Sequence, residues 1–217
     1  MTGPAQEWTE LDLLPPAVVR KRARGVSVVG LVLAAAVGGL VGLVGGRVAG
    51  LVAAAIIGVP LLLLAFAESR RRTWLDGSVV AVRAVGVRRV DIRRAKRKDL
   101  LVSEVRGQRT VSLLLSEPGG RTVTVALAIY TAAGGVELGI LALRRLADAL
   151  TLAANGDDGD PDAAMLSALL VAQLRAEARG EPMAARPLWL AGGLVEAGKV
   201  VRKVNPTRLA ALVSEFD

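Results

Sequence analysis

The sequence predicts a membrane-embedded α-helical hairpin, followed by a soluble α+β domain and then an α-helical tail. Residues 25–67 form an apolar run with almost no charge, and the next stretch alternates apolar and polar residues as β-strands do. The last third has the spacing of amphipathic helices. Of the 217 residues, 53% are hydrophobic, and the mean hydropathy is +0.47. This chain is too apolar for an ordinary soluble domain and far too apolar for a disordered one.

Composition also excludes several kinds of site. The chain has no Cys and no His, which excludes a disulfide scaffold, a Cys/His zinc site and a His general base. The candidate acid/base carboxylates, Asp76, Asp91 and Glu104, are each interpreted as strand or turn residues paired with a neighbouring Arg. No phosphate-binding loop or nucleophile motif accompanies them. We therefore expect no enzyme activity, no cofactor and no metal site.

The apolar run has the length of two membrane spans. Residues 25–67 contain one charge, Arg47, which divides the run into 22 residues (25–46) and 20 residues (48–67). A helix needs about 20 residues to cross a bilayer core. A cleaved signal peptide carries one shorter apolar core, and a buried core helix pair needs a larger protein to enclose it. The sequence therefore predicts two transmembrane helices.

Basic residues flank this hairpin at its two outer ends and predict its orientation. Seven of them stand against the single Arg47 of the turn, and basic residues near transmembrane ends favour the cytoplasmic side. We expect a protein of the cytoplasmic membrane with both termini in the cytoplasm, residues 1–24 being an N-terminal cytoplasmic segment. The seven flanking residues are Arg20, Lys21, Arg22, Arg24, Arg70, Arg71 and Arg72.

Small residues recur every four positions inside the hairpin. On a helix this spacing stacks them on one face and lets another backbone approach closely. Two interpretations stay open. In the first, the faces join separate copies of the chain; in the second, which we favour, they seal the hairpin itself or merely reflect a composition rich in Ala, Gly and Val. No acidic or amide residue lies in the span, so a self-contained transporter is not expected. The small residues are Gly38, Gly42, Gly46, Gly50, Ala54 and Gly58.

The soluble domain is predicted over residues 70–154. Its pattern indicates at least five short strands and then one amphipathic helix over residues 137–154. A turn at residues 117–120, with the sequence Glu-Pro-Gly-Gly, is a strong hairpin signal. The strand candidates are the alternating stretches around Val80–Val82 and Val90–Ile92, then residues 100–106, 110–116 and 121–128.

Several of these residues suggest a family. Trp74-Leu75-Asp76-Gly77, residues 79–83, the strand Arg88-Arg89-Val90-Asp91 and the closing Leu-rich helix resemble the bacterial pleckstrin-homology-like (PH-like) domains, which often follow a transmembrane helix pair. The resemblance implies a bent antiparallel β-sandwich or partial barrel, capped by the helix, without catalysis. Arg83 and Arg88-Arg89 only approximate the phosphoinositide-binding spacing of eukaryotic relatives, so inositol-lipid specificity is not carried over.

The last third is predicted to be an acidic linker and a helical tail. Residues 155–162 lack the frame and closing Glu of an EF-hand and are interpreted as a linker. In the tail, residues 163–217, Asp162 is the predicted N-cap of a helix over 163–179. Further helices are predicted over 187–204 and 207–216. The apolar stretch 187–195 is too short to span a membrane, so it packs on the preceding helices, lies in the membrane interface or docks on a partner, in that order of preference.

The positive charge is concentrated beside the hairpin. Residues 70–109 contain thirteen Arg or Lys and four Asp or Glu, a net charge of +9, whereas the whole chain carries +8. Basic clusters next to a membrane helix attract anionic lipid. The predicted headgroup- or partner-binding residues are Arg70, Arg71, Arg72, Trp74, Arg88, Arg89, Arg93, Arg94, Lys96, Arg97 and Lys98.

These patterns predict a non-enzymatic membrane protein that presents a cytoplasmic PH-like domain to anionic lipid headgroups or to a protein, as a scaffold or adaptor. The alternative is an accessory, self-associating subunit of a membrane complex, assembled through the glycine faces. A plainer interpretation of the basic residues is that they only set topology and solvate a surface. Nucleic acid is not a favoured partner, because only six aromatic residues are present and no helix-turn-helix pattern appears.

Overall fold

The computed structural model describes residues 8–84, 86–156, 159–195 and 201–216. The chain divides into two compact units. The helical unit comprises Leu14–Arg71 and Arg83–Gly86, and the α+β unit comprises the rest. The predicted linker 155–162 and the predicted helix 187–204 each include residues outside the described part of the chain.

The helical unit is one long stretch of helix with a break at a glycine. Helix α1 runs over Pro16–Ser69, but Gly46 has φ 83° and ψ 170°, which are not helical angles. This combination is essentially restricted to glycine, because a Cβ would clash with the backbone. The sequence placed the division at Arg47, one residue further on.

The two halves of α1 fold back on each other around Gly46, and the contacts run in antiparallel order. A Cβ built on Gly38 would lie 2.7 Å from the Cβ of Ala54, and one built on Gly58 would lie 3.1 Å from the Cβ of Ala34. At Gly50 it would lie 2.5 Å from the carbonyl oxygen of Gly38. The small residues therefore face each other within one chain, which is the sealing arrangement. Gly46, which the sequence grouped with these residues, is instead the position at which the helix breaks.

The outer surface of α1 is apolar. Leu43 and Val44 are 86% and 93% exposed, and most of the large apolar side chains along the helix are exposed as well. Ala23–Ala67 is the one helical segment within the described residues that is long and apolar enough to cross a membrane, at 45 residues. Few of the residues in its most apolar part are buried, unlike those of a core helix in a soluble protein. These features are those of a membrane-associated segment.

The α+β unit contains two antiparallel sheets with strand orders β1-β2-β3-β4 and β8-β7-β6-β5-β9. The sequence predicted at least five strands here. Seven lie between residues 72 and 137, and two short ones are added from outside that range. The strands are β1 Thr9–Glu10, β2 Arg72–Asp76, β3 Val79–Arg83, β4 Val87–Asp91, β5 Arg97–Val105, β6 Gln108–Ser116, β7 Thr122–Thr131, β8 Gly134–Glu137 and β9 Arg202–Lys203.

The longest strands are joined by tight turns that their sequences favour. Val105 pairs with Gln108 across β5 and β6, and the two residues between them have positive φ, 53° at Arg106 and 74° at Gly107. Two such residues form the hairpin turn whose twist matches that of the flanking strands. The predicted Glu-Pro-Gly-Gly turn joins β6 and β7, with φ 103° at Gly119 and 85° at Gly120.

Strand β1 was missed by the sequence analysis. Thr9 pairs with Leu75 and Glu10 pairs with Trp74, and Leu11, just beyond, is buried in the core of the α+β unit. Part of the segment predicted as an N-terminal cytoplasmic region is therefore an edge of the first sheet. A strand of two residues has too few positions to show an alternating pattern.

The helix predicted over 137–154 begins later, as α2 Ile140–Ala154. The residues before it form β8, which pairs with β7. Position 135 of that strand accommodates only glycine, because a Cβ there would lie 2.5 Å from the Tyr130 ring and 2.7 Å from the Met183 sulfur. Leu143, Leu146 and Leu150 of α2 are fully buried in the core that both sheets share.

The tail packs on the α+β unit. Its helices are α3 Pro161–Ala178, α4 Pro187–Gly193 and α5 Pro206–Ser214, with a short 3₁₀ turn at Met183–Ala185. Leu166, Leu170 and Leu188 are buried in the same core as the strands. The apolar stretch 187–195 therefore follows the first of the three alternatives, packing. Helix α4 is shorter than the predicted 187–204.

The N-cap of α3 is Asp160, and the prediction of Asp162 was wrong. The Asp160 Oδ1 accepts a hydrogen bond from the N–H of Ala163 at 2.9 Å. Pro161 occupies the first helical position, where its missing N–H has no cost. Because the helix starts at this proline, Asp162 already lies in the first turn.

Candidate functional site

The exposed basic residues of the α+β unit lie on an edge strand and the turn that follows it. Strand β4 is the last strand of its sheet, and both Arg88 and Arg89 are exposed. After β4, the Asp91 carboxylate accepts a hydrogen bond from the backbone N–H of Arg93 at 3.0 Å. The backbone carbonyl of Asp91 accepts a second one from the N–H of Arg94, also at 3.0 Å. This turn leaves the side chains of Arg93 and Arg94 in solvent.

We call five of these residues the basic surface: Arg88, Arg89, Arg93, Arg94 and Lys96. All five are exposed. Within the described part of the chain none of them lies within ion-pair distance of a carboxylate. Their positive charge is therefore not neutralised locally and is available to an anionic partner.

Lys98 is not part of this surface, which corrects the sequence prediction. Its side chain is 1% exposed, and its Nζ donates to the Asp160 Oδ2 at 2.6 Å and to the carbonyl of Ala95. Strand alternation explains the placement, because the neighbouring Arg97 points outward and is 67% exposed. Lys98 holds the start of α3 against β5, so its role is structural.

A second buried charge lies beside Lys98. The carboxylate of Asp99 accepts from Arg97 at 3.0 Å and from Lys203 of β9 at 2.6 Å. At Asp160, burial acts to raise the pKa of the carboxyl group, but hydrogen bonds from Lys98 and from the N–H of Ala163 outweigh it and hold the pKa below its usual value. The ion pair with Asp99 thus keeps the exposed Arg97 partly engaged within the protein.

The other predicted site residues lie at the end of α1 and in strand β2. The Arg70 guanidinium lies 4.5 Å from the centre of the Phe66 ring, in a cation–π contact. Arg71 is exposed, and Arg72 forms an ion pair with Glu10 at 3.2 Å. Trp74, predicted as a headgroup-level anchor, is half-buried in β2 opposite Glu10. Trp8, which the sequence analysis did not single out, is 60% exposed.

A polar cleft adjoins the basic surface. It has a volume of about 570 Å³ and lies between the start of β4 and the turn from β6 to β7. Its lining residues are Val87, Arg88, Arg89, Gly119, Gly120, Arg121 and Thr122. Arg121 was missed as a site residue, because it lies 32 positions after Arg89 in the sequence and only the fold brings the two together.

The acidic candidates have local structural partners. Asp91 caps the turn after β4, and Glu104 pairs with Arg109 across β5 and β6 at 3.1 Å. Asp76 closes β2.

Comparison with protein-family models, with curated proteins and with solved structures finds no match to this chain. The functional interpretation therefore depends on the geometry and charge of the molecule itself.

Proposed function

We propose that this chain is a non-enzymatic integral membrane protein that holds its α+β unit against the anionic headgroups of the cytoplasmic leaflet. One observation carries the proposal. Five cations with no ion-pair partner among the described residues lie on β4 and its following turn. Strand β2 of the same unit begins at Arg72, three residues after the apolar helix α1 ends at Ser69. The protein would act there as a membrane-bound scaffold or adaptor.

The break in α1 supports two membrane spans. The halves on either side of Gly46 are each long enough to cross a bilayer core of about 30 Å, at about 1.5 Å per residue. Their small residues face each other, and their large apolar side chains face outward. With seven basic residues at the outer ends and Arg47 at the turn, both termini lie in the cytoplasm under this proposal.

The electrostatics favour an anionic bilayer as the partner. A Lys or Arg near an anionic membrane surface contributes about 1 kcal/mol, so the five residues of the basic surface supply a few kcal/mol together. The attraction decays within about 10 Å at 0.1 M salt. Because the unit is tethered directly to the spanning segment, the basic surface needs little additional binding energy to stay at the bilayer.

The arrangement of the strands is compatible with the PH-like resemblance. Seven strands from Arg72 to Glu137, divided between two antiparallel sheets that share one core, precede α2. The resemblance implies this order of parts. A PH-like domain in a bacterial membrane protein therefore remains our proposal for the family.

The small residues that suggested a self-associating subunit do not favour that alternative. Gly38, Gly50 and Gly58 already contact the opposite half of their own helix. No second copy is needed to cover these faces. A protein partner for the scaffold remains part of the proposal, without a particular surface assigned to it.

We expect the α+β unit to approach an anionic bilayer more closely than a neutral one. Full-length protein with Val87→Cys carries a fluorescent donor in nanodiscs containing acceptor-labelled lipid, with and without phosphatidylglycerol. Energy transfer should be higher with the anionic lipid at about 0.1 M salt, and the difference should disappear at about 1 M salt, where the Debye length is about 3 Å.

Two variants of equal charge provide the control. Arg93→Gln/Arg94→Gln should lower the transfer in anionic nanodiscs, whereas Arg144→Gln/Arg208→Gln, which removes two exposed arginines from α2 and α5, should leave it unchanged. Equal transfer in neutral and anionic nanodiscs at low salt would overturn the proposal and leave the basic residues with a topological role alone.

A further inference from the structure

We propose that the cleft between β4 and the β6–β7 turn is a binding site for the phosphate group of a phosphate ester. The inference deepens the proposed function, on which it rests, because it assigns the recognition of headgroups to one site on the basic surface. Two sources supply this chemistry: a phospholipid headgroup and a soluble phosphate ester.

Three arginines line the cleft from two separate parts of the chain. Arg88 and Arg89 come from the edge strand β4, and Arg121 closes the turn before β7. The Arg121 side chain is 74% exposed. The planar guanidinium group of arginine donates two parallel hydrogen bonds to a phosphate, which makes it the preferred side chain for this anion.

The turn adds backbone donors. Gly119 and Gly120 both have positive φ, and a Cβ on either would meet none of the described residues within 4 Å. The N–H of Gly120 donates to the carbonyl of Glu117 at 3.2 Å. The N–H groups of Gly119 and Arg121 donate to no atom of the described residues. Uncovered N–H groups in such a turn favour an anion.

Glu117 positions the turn and does not neutralise the cleft. Its Oε1 accepts a hydrogen bond from the N–H of Asp91 at 2.7 Å, which ties the turn to β4. Its Oε2 lies 4.0 Å from the Arg121 guanidinium, the limit of an ion pair. The carboxylate is thus engaged with the backbone, and the cleft keeps an excess of positive charge.

The size of the cleft indicates an organic phosphate. Its volume of about 570 Å³ lies in the range of small-molecule sites, about 300–1,000 Å³. A bare phosphate ion fills a small part of this volume, whereas a glycerophosphate group or a similar ester occupies more of it.

The test uses the full-length protein in neutral detergent micelles. Glycerol 3-phosphate is titrated by calorimetry, with sulfate as the comparison anion, and phosphatidic acid is titrated into the same micelles as the lipid source. Arg89→Gln/Arg121→Gln should weaken binding by about tenfold or more, because two charge-assisted contacts are lost. The control Arg144→Gln/Arg208→Gln, which removes equal charge from exposed positions of α2 and α5, should change the affinity by less than about twofold.

The possible results distinguish the two sources of the phosphate group from a failure of the site. Binding of glycerol 3-phosphate as tight as that of phosphatidic acid supports a soluble ester as the source, and tighter binding of phosphatidic acid supports the headgroup. Binding of neither, sulfate bound as tightly as the phosphate ester, or an equal loss in the two double variants would overturn the site. If the site fails while energy transfer to anionic nanodiscs still depends on Arg93 and Arg94, the proposed function stands without it.

Discussion

Replacing Lys98 by Met should lower the free energy of unfolding of the α+β unit by about 3 kcal/mol. The substitution removes the cation from a pair in which Lys98 is 1% and Asp160 30% exposed. Losing one partner of a buried pair typically costs about 3–5 kcal/mol, and the partial exposure of Asp160 places this case at the low end. Denaturant unfolding of the full chain in micelles, followed by the fluorescence of the three tryptophans, all of which lie in the α+β unit, measures the loss.

Lys96 is the matched control for this experiment. It lies two residues earlier, is exposed and has no ion-pair partner in the described part of the chain. Lys96→Met should change the stability by less than about 0.5 kcal/mol. Equal effects of the two substitutions would mean that Lys98 does not hold α3 to β5.

Replacing Gly50 by Leu should open the helical hairpin. A Cβ at this position would lie 2.5 Å from the Gly38 carbonyl oxygen and 2.8 Å from the Gly42 Cα. These are backbone atoms, so one half of α1 must move away from the other. The chain has no Cys of its own, and Ala34→Cys/Gly58→Cys therefore reports the contact through oxidation. The two Cβ positions are 3.1 Å apart, within a few tenths of an ångström of the roughly 3.5–4.5 Å of a disulfide.

The yield of intramolecular disulfide should fall by at least about tenfold in the Gly50→Leu background. Gly39→Leu is the control, because Gly39 is an exposed glycine of α1 and its Cβ position has none of the described residues within 4 Å. That variant should keep the yield of the parent. A disulfide-linked dimer as the main product would contradict the sealed hairpin and favour assembly through the glycine faces.

The long apolar helical segment, its break and the main strands were predictable because their signals are local. The apolar run 25–67 is interrupted by one charge, and the break at Gly46 lies next to it. The turn between β6 and β7 carries residues that fit its positive φ angles. In each case a few consecutive residues determine the backbone, so no knowledge of distant contacts was needed.

The errors at Lys98 and Asp160 have one cause. Sequence alone shows five basic residues within 93–98 and a group of acids within 157–162, without showing that one member of each group forms a buried pair. That pairing depends on α3 packing against β5, 62 residues away in the sequence. Arg121 was missed as a site residue for the same reason, since the cleft joins two segments that no local pattern connects.

The most direct test of the central claim is the membrane topology. Single cysteines placed by Trp8→Cys, Val44→Cys and Ala178→Cys, all at exposed positions, are labelled with a membrane-impermeant maleimide in right-side-out and inverted vesicles. The proposed function predicts that positions 8 and 178 react only in inverted vesicles and position 44 only in right-side-out vesicles. Reaction of positions 8 and 178 on opposite sides would show a single crossing and contradict the account.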